Sequence, residues 1–393
     1  MGIEVKNNAR AGRWVKQLEG PEQFACFIPA PLPPDPPINY NAKLQSLEEQ
    51  ANWALGRLEG VSTFLPDPHL FLYTYVRKEA VLSSLIEGTQ SSLSDLLLFE
   101  NKETPGVPLA DVQEVSNYVA AMNHGLNRMK SGFPLSLRLI KEIHARLLKG
   151  TRGSEREPGE FRRSQNWIGG SRPGNALFVP PQPHEVLPAM GALEKFLHDD
   201  PVRTPTLIKA GLAHSQFETI HPFLDGNGRI GRLLITFILC VEGVLSQPLL
   251  YLSLFFKQHR TEYYNALQRI RTEGDWEGWL AFYLTGVKEV SLQATETAKK
   301  LITMFEKHRG QIQDIGKAAG SALRVHDLLK KHVILSLPAA QKALHLSFPA
   351  VNKAMENLQK LGLVQEFTGR QRNRIFCYKP YLKVLDEGTG KDE

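Results

Sequence analysis

Apolar residues recur at helical spacing along most of the chain. The pattern begins near Asn41, and it resumes after Pro68 in a run through Val76, Ala80 and Leu85 that ends at Glu87. Further helices in the first half are predicted at 109–130, 135–149 and 183–199. This periodicity predicts a mainly α-helical protein.

Two helical patterns flank a short polar stretch near residue 220. Thr204 and Pro205 have the form of a helix start, with proline at the first helical position. Apolar or small residues repeat at helical spacing up to Ile220, and a second, mostly buried helix is predicted from Ile230 to Val241. Residues 221–232 read His-Pro-Phe-Leu-Asp-Gly-Asn-Gly-Arg-Ile-Gly-Arg, which predicts a tight loop that enters a helix.

This loop has the residues of an anion site. Gly226 and Gly228 permit positive φ and a close approach of the backbone to a ligand. Free N–H groups at the helix start favour an anion there. Arg229 and Arg232 are one turn apart, so both can face the same anion, and together they indicate a polyphosphate.

Two further residues suggest chemistry. Asp225 would repel the anion unless a divalent cation lies between them, and Mg²⁺ needs few carboxylates besides phosphate oxygens. His221 is placed to take a proton from an attacking group. The alternative is an ordinary turn beside a packed histidine, which explains the glycines alone but not the whole set.

The stretch resembles the Fic (filamentation induced by cAMP) family signature, His-x-Phe-x-Asp/Glu-Gly-Asn-Gly-Arg-x-x-Arg, and every defined position matches. The resemblance extends from about Tyr40 to Thr285. It implies a protein adenylyltransferase, which moves AMP from ATP to a Tyr, Ser or Thr hydroxyl of a target protein or of itself.

The resemblance also implies roles. His221 is the general base, Asp225 holds Mg²⁺ against the α- and β-phosphates, and Arg229 and Arg232 hold the β- and γ-phosphates. Gly226, Asn227 and Gly228 cradle phosphate, while Phe223 anchors the loop by packing. The whole implied nucleotide site comprises Pro222, Phe223, Leu224, Asp225, Gly226, Asn227, Gly228, Arg229, Arg232 and Gln258.

A second family pattern lies upstream, at the end of the helical run that closes at Glu87. Family members with an autoinhibitory helix carry Ser/Thr-x-x-x-Glu-Gly/Asn, and residues 83–88 read Ser-Ser-Leu-Ile-Glu-Gly. Gly88 suits the left-handed position that ends a helix. Glu87 is a carboxylate that can pair with an arginine of the site; if it holds Arg232, that arginine cannot hold the γ-phosphate.

Residues 150–185 break the helical pattern. Two short apolar runs, at 167–170 and 175–181, are separated by Gly-Ser-Arg-Pro-Gly-Asn, which predicts a β-hairpin. In the family a hairpin flap at this place holds the target chain by strand addition. A further helix is predicted over Leu252–Arg271, where His259 replaces the usual family asparagine and Gln258 is a candidate for the adenine side.

The C-terminal part begins after a long helix predicted from about Trp279 to Lys307. Three helices and a hairpin follow, at 324–331, 337–344, 348–361 and 363–378, in the order of a winged helix. Basic residues exceed acidic ones here, which allows DNA contact. Winged helices also bind proteins or form dimers, and that alternative stays open.

The composition limits the class of protein. The chain has 393 residues with a net charge of +6, three scattered cysteines and 42% hydrophobic residues, typical of a globular cytoplasmic protein without a disulfide framework. No run reaches membrane-spanning length. Residues 1–40 are expected to be weakly structured, and the prolines at 29–37 to form an extended strap on the fold rather than a ligand for a partner.

The predicted architecture is mainly α: a Fic-type helical core with a β-hairpin flap and a C-terminal winged helix. The predicted divisions are 1–105 (strap and inhibitory helix), 106–310 (catalytic core) and 311–393 (winged helix). Homodimerisation is a further expectation. The alternatives are removal of AMP at the same site, with Glu87 orienting a water, and a nucleotide-sensing DNA-binding regulator, which would not need the base His221.

Overall fold

A computed structural model describes residues 8–19, 22–63, 68–102, 106–370 and 374–387. The chain is mainly helical, as predicted. The expectation of a weakly structured N-terminus is wrong for β1 (Gly12–Glu19) and β2 (Glu22–Pro29), which form an antiparallel hairpin. Aromatic side chains of the hairpin pack on both of its sides, against Phe178 and Val179, and this tertiary burial outweighs the proline-rich context.

The segment after β2 does lie on the fold as a strap. Gln216 donates a hydrogen bond to the carbonyl of Ala30 (2.7 Å), and Arg10 donates to the carbonyls of Pro36 and Pro37. Helices follow as predicted, together with a short helix, α3, that the apolar pattern did not predict. Their bounds are α1 (Ala42–Thr63), α2 (Pro68–Ile86), α3 (Leu93–Glu100), α4 (Leu109–Lys130) and α5 (Leu137–Leu147).

The segment between α5 and the next helix was predicted to be a β-hairpin. Its two arms do run antiparallel, but the ladder contains one bridge, between Ile168 and Phe178, and a 3₁₀ turn at Pro173–Asn175 connects the arms. Gly169 and Gly170, both at positive φ, end the pairing on one arm, and Pro180 and Pro181 lack the N–H needed to extend it on the other.

The central helices surround the polar loop. α7 is buried along almost its whole length and packs against α8. One prediction is wrong: the helix expected over Leu252–Arg271 is two helices, because His259 has non-helical dihedrals (φ −110°, ψ 37°). The bounds are α6 (Pro183–Leu197), α7 (Thr206–Ile220), α8 (Asn227–Val241), α9 (Ser253–Gln258), α10 (Arg260–Glu273) and α11 (Trp276–Gln313).

The C-terminal region contains the three predicted helices and a small antiparallel sheet of order β3-β5-β4. Strand β3 and the last helix were not predicted. Part of the expected wing, residues 371–373, lies outside the described residues. The bounds are α12 (Ala319–His332), β3 (Ile334–Ser336), α13 (Leu337–Leu344), α14 (Phe348–Lys360), β4 (Gln365–Glu366), β5 (Ile375–Cys377) and α15 (Lys379–Asp386).

Helix α2 connects this region to the centre of the protein. Buried Lys78 donates a hydrogen bond to the carbonyl of Glu387 (2.7 Å), and Tyr75 donates to the carbonyl of Ala294 in α11 (2.9 Å). The far end of α2 reaches the polar loop. Among the described residues, no helix has both the length and the apolar character needed to span a bilayer.

Candidate active site

The loop between α7 and α8 is held at both ends by unusual backbone conformations. His221 ends α7 in the left-handed region (φ 49°, ψ 59°), and Gly226 precedes α8 with φ 76°. A non-glycine residue with positive φ is uncommon and needs support. The support comes from outside the loop, because Arg162 (3.0 Å) and Asn166 (3.2 Å) both donate hydrogen bonds to the carbonyl oxygen of His221.

The loop is also braced internally. The side chain of Asn227 accepts a hydrogen bond from the N–H of Phe223 and donates one to its carbonyl, both at 2.8 Å. This amide is therefore used within the loop, and only the main chain of Asn227 remains for a phosphate. Phe223 is fully buried, which agrees with its predicted packing role.

A buried histidine supports the loop from α5. The ring of His144 stacks on Phe223 with centroids 3.7 Å apart, and its Nδ1 accepts a hydrogen bond from the N–H of Gly159 (2.8 Å). Its Nε2 therefore carries the proton and donates to the carbonyl of Asp225 (3.0 Å). Burial lowers the pKa of His144 to about 4, so the ring is neutral and this tautomer is maintained at neutral pH.

Glu87 and Arg232 are in contact. Glu87 Oε1 lies 2.7 Å from Arg232 Nη2, and Ser83 accepts two further hydrogen bonds from the same guanidinium, at its hydroxyl (2.8 Å) and its carbonyl (2.9 Å). Burial alone would raise the pKa of Glu87, but the guanidinium holds that pKa below its usual range. Gly88 follows with φ 95°, as the helix-end prediction requires.

Arg229 has different partners. Its Nη1 lies 3.2 Å from Oε2 of Glu114 in α4, and its Nη2 lies 3.5 Å from Oδ1 of Asp225. The other oxygen of Glu114 lies 3.5 Å from Nε of Arg152, which is largely exposed. The two arginines of the motif are thus engaged by carboxylates from different helices.

The start of α8 offers main-chain donors. The first hydrogen bond into the helix runs from Ile230 N–H to Gly226 O (3.1 Å), so the N–H groups of residues 227–229 have no partner within α8. Glycine at 228 makes room for the Glu87 carboxylate beside these groups, because a Cβ there would lie 2.2 Å from Glu87 Oε1. The arrangement can bind an anion once Glu87 moves aside.

Asp225 is the carboxylate at the mouth of the loop. Its Oδ1 accepts a hydrogen bond from the N–H of Gly226 (2.5 Å), and its side chain is 39% exposed. A Cβ at Gly153 would lie 2.5 Å from Oδ2, so a larger residue there would displace this carboxylate. One accessible carboxylate beside an anion site is a donor set that suits Mg²⁺, which takes its other ligands from phosphate and water.

The electrostatics favour a neutral His221. Burial and the nearby cations Arg271 and Arg162 lower the pKa of His221 to about 4. Burial also raises the pKa of Glu218, one turn earlier in α7, to about 7. At neutral pH His221 is therefore unprotonated, the state that a general base requires.

The role of Gln258 on the adenine side stays a prediction. Gln258 lies exposed at the end of α9, and in the described part of the chain its side chain makes no hydrogen bond to residues 221–232. Its neighbour Arg260 approaches the site instead, with Nη2 3.3 Å from the carbonyl of Ile86 and its guanidinium over the ring of Tyr264.

Several residues that build the site were not predicted from the sequence. They are Glu114, His144, Arg162 and Asn166. The sequence signal for Glu114 and His144 is a polar residue on the buried face of a predicted helix. Arg162 and Asn166 lie in a segment without periodicity, so only the folded chain relates them to His221.

The fold and this loop define a class, the helical proteins with a Fic-type loop between two buried helices. Residues 45–127 match the family profile described as Fic/DOC family N-terminal, and residues 134–239 match the profile described as Fic/DOC family. The chain therefore contains a Fic/DOC family domain.

Curated relatives carry the name protein adenylyltransferase Fic. The Aedes aegypti protein is 31% identical over 261 residues, which cover 61% of this chain and 49% of that protein. The Culex quinquefasciatus protein is 33% identical over 208 residues, covering 50% of this chain and 37% of that protein. The chain thus spans about half the length, or less, of these relatives.

Solved structures share the fold. A Fic family protein from Desulfovibrio desulfuricans G20 superposes with a TM-score of 0.56 at 19% identity, covering 91% of this chain and 99% of that chain. A Fic domain containing signalling protein from Bacteroides thetaiotaomicron VPI-5482 gives 0.50 at 20% identity, with coverage of 66% and 97%. These similarities support the mainly helical Fic fold.

Proposed function

We propose that the protein is an adenylyltransferase that moves AMP from ATP to a Tyr, Ser or Thr hydroxyl of a target protein or of itself. The observation that carries the proposal is the loop itself. It joins a neutral histidine, the free N–H groups of a helix start and two arginines within one turn of each other. The name of the curated relatives supports the same activity.

In the proposed reaction His221 accepts the proton of the target hydroxyl. The hydroxyl oxygen attacks the α-phosphorus of ATP, a new P–O bond forms, and the bond to the β-phosphate breaks to release pyrophosphate. The N–H groups of residues 227–229 face the phosphates, and Arg229 and Arg232 neutralise the charge of the leaving group. Asp225 would hold Mg²⁺, which when bound there supplies positive charge to the phosphate oxygens.

Autoinhibition by Glu87 is the second part of the proposal. Arg232 donates to Ser83 and Glu87 in this structure, so its guanidinium is already engaged when a γ-phosphate arrives. The Glu87 carboxylate also lies directly over Gly228, where it repels phosphate. Both effects hold the resting enzyme at low activity.

The flap is proposed to hold the target. Its arms meet through Ile168 and Phe178, and β2 lies beside the second arm, where Phe27 N–H donates to the carbonyl of Val179 (3.0 Å). The arm that carries Trp167 is the one nearer His221, because Asn166 binds the carbonyls of both His221 and Phe223. An extended target segment added on that arm would bring its hydroxyl to the base.

A second activity at this site is removal of AMP from a modified protein. The position of Glu87 favours it, because a carboxylate beside the phosphate loop can orient a water for attack on the same phosphorus. A hydrolase of this kind would lose activity in Glu87→Gly, whereas a transferase restrained by Glu87 would gain it.

The C-terminal region is proposed to be a winged helix, and DNA binding remains part of that proposal. Lys342, Lys353, Lys360 and Arg370 are exposed there, although Arg374 is bound to Asn352 (2.5 Å). The divisions 1–105, 106–310 and 311–393 are kept as proposals, with the second boundary close to the end of α11. Homodimerisation is likewise proposed. Titration of the full chain onto DNA at several salt concentrations tests the DNA contact.

The experiment that tests the main proposal follows AMP incorporation from labelled ATP with Mg²⁺. Wild type, Glu87→Gly and Glu87→Gly/His221→Ala are compared on the protein itself. We expect strong labelling of Glu87→Gly, weak labelling of wild type and none in the double variant. Absence of AMP incorporation in Glu87→Gly would contradict the transferase proposal, and hydrolysis of AMP-proteins would then be assayed.

A further inference from the structure

A buried carboxylate lies behind Arg229. Glu114 is in the second turn of α4, and its side chain is only 2% exposed. Its two oxygens are divided between two arginines, Arg229 at 3.2 Å and Arg152 at 3.5 Å. Glu114 thus bridges the start of α8 to the loop after α5, the two segments that meet at Asp225.

The contact engages one side of the Arg229 guanidinium. Glu114 takes Nη1, Nη2 is 3.5 Å from Asp225, and the buried Nε has no hydrogen-bond partner among the described residues. An arginine presents Nε and Nη2 together as a fork for one anionic group. Glu114 therefore anchors one side of the guanidinium, and the fork on the other side has only the 3.5 Å contact to Asp225.

Helix α4 gives this anchor a fixed position. Asn117, almost one turn after Glu114, donates hydrogen bonds to the carbonyls of Leu147 (3.1 Å) and Lys149 (2.8 Å) at the end of α5. Val112, Val115 and Tyr118 around Glu114 are fully buried. A side chain in such packing cannot swing away from its partner, so Glu114 holds Arg229 whether or not a ligand is present.

We propose that Glu114 is a positioning residue that aims the Nε–Nη2 fork of Arg229 at the β- and γ-phosphates of the nucleotide. The proposal rests on the proposed nucleotide site. It requires that loss of Glu114 weakens recognition of the outer phosphates and spares recognition of the rest of the nucleotide.

Calorimetry of nucleotide binding tests this without any transfer reaction. ATP and AMP, each with Mg²⁺, are titrated into Glu87→Gly/His221→Ala, which should not transfer AMP, and into the same protein carrying Glu114→Ala or Glu114→Gln. Because Glu114→Ala removes the charge-assisted contact that orients Arg229, we expect it to weaken ATP binding about tenfold or more. AMP binding should change less than twofold. Glu114→Gln keeps the shape and one acceptor, so its loss should be smaller.

Two comparisons make the result specific. In a protein that already carries Arg229→Ala, Glu114→Ala should leave the affinity for ATP unchanged, because the two residues act as one unit. Glu142→Gln is the matched control, since Glu142 also bridges arginines (Arg128 and Arg138) but contacts neither Arg229 nor Asp225.

Equal losses for ATP and AMP would overturn the proposal, because they would show a general structural role. Unchanged ATP affinity in both Glu114 variants would overturn it as well. If the ATP-selective loss appears but no AMP transfer is ever detected, the positioning role stands while the proposed transferase function fails.

Discussion

The two arginines of the loop motif are one turn apart and yet have opposite surroundings. Arg232 is bound by Ser83 and by Glu87, whose side chain is 34% exposed just beyond the end of α2. Arg229 is bound by Glu114, which is buried in the body of α4. Both pairs join a motif arginine to a carboxylate from an upstream helix, and only the first carboxylate is in a place from which it can withdraw.

The comparison indicates that the position of a carboxylate in its helix determines whether its ion pair with an arginine competes with the nucleotide or supports its binding. A residue at a helix end, followed by a glycine with positive φ, can move without disturbing packed side chains. A residue in a buried turn cannot move without disturbing its packed neighbours. We therefore interpret the Arg232–Glu87 pair as a competitor of the nucleotide and the Arg229–Glu114 pair as a support for it.

The largest expected effect is that removing the two carboxylates changes AMP incorporation in opposite directions. Glu87→Gly should raise AMP incorporation at least tenfold, because an ion pair with a buried arginine no longer competes with phosphate. Glu114→Ala should not raise AMP incorporation in the wild-type background, and it should lower the rate of AMP incorporation in Glu87→Gly. Initial rates with labelled ATP measure both. An increase caused by Glu114→Ala alone would show that the two carboxylates act alike.

A second prediction tests Asp225, the carboxylate that contacts Arg229. Gly153→Ala places a Cβ against Asp225 Oδ2 at a backbone φ of 92°, so it should displace the carboxylate. We expect the Mg²⁺ concentration for half-maximal activity of the Glu87→Gly protein to rise several-fold. Gly150→Ala is the control, because it has similar backbone strain (φ 67°) but nothing within 4 Å of the new atom. Similar Mg²⁺ curves for the two variants would refute this interpretation of Asp225.

A third prediction weakens the Arg232 side without removing Glu87. Ser83→Ala deletes the acceptor of Arg232 Nε, and a hydrogen bond of this kind contributes about 1 kcal/mol, so basal AMP incorporation should rise about two- to fivefold. Ser84→Ala is the matched control, because that buried hydroxyl has no hydrogen-bond partner in the described structure. Equal increases of AMP incorporation in Ser83→Ala and Ser84→Ala would mean that general loosening of α2 relieves the inhibition.

The smallest expected effect is on pH dependence. Burial, Arg271 and Arg162 lower the pKa of His221, whose usual value is 6.5, to about 4, so the base is unprotonated above about pH 5. Glu87 is absent from the Glu87→Gly protein, and Glu218 titrates near 7 without a contact to the loop amides. The kcat/KM of Glu87→Gly should change less than twofold between pH 5.5 and 8. An acidic limb near 6.5 would show that His221 has an ordinary pKa.

The same shift has a consequence for stability. The folded-state pKa of His221 lies below the unfolded value, so the unfolded chain binds more protons at acidic pH. This group's contribution to folding is therefore complete above pH 6.5 and is lost as the pH falls toward 4. In His221→Ala the decrease of the melting temperature over that interval should be smaller than in wild type.

Much of the fold was predictable because helical periodicity is a local signal. Helices α4, α7 and α13 follow the predicted bounds closely. The hairpin β1–β2 was missed because its burial depends on Phe178 and Val179, far along the chain. The division of one predicted helix into α9 and α10 depends on the backbone at His259, which side-chain periodicity does not reveal.

By itself, the sequence determined the loop from His221 to Arg232, the helices around it and the candidate pairing of Glu87 with one of its arginines. The motif is contiguous, so its residues must come together in any fold. That Glu87 does contact Arg232, and that Glu114, His144, Arg162 and Asn166 support the loop, only the tertiary structure decided. Those contacts join segments distant in sequence, and helix packing, which no local pattern encodes, sets their distances.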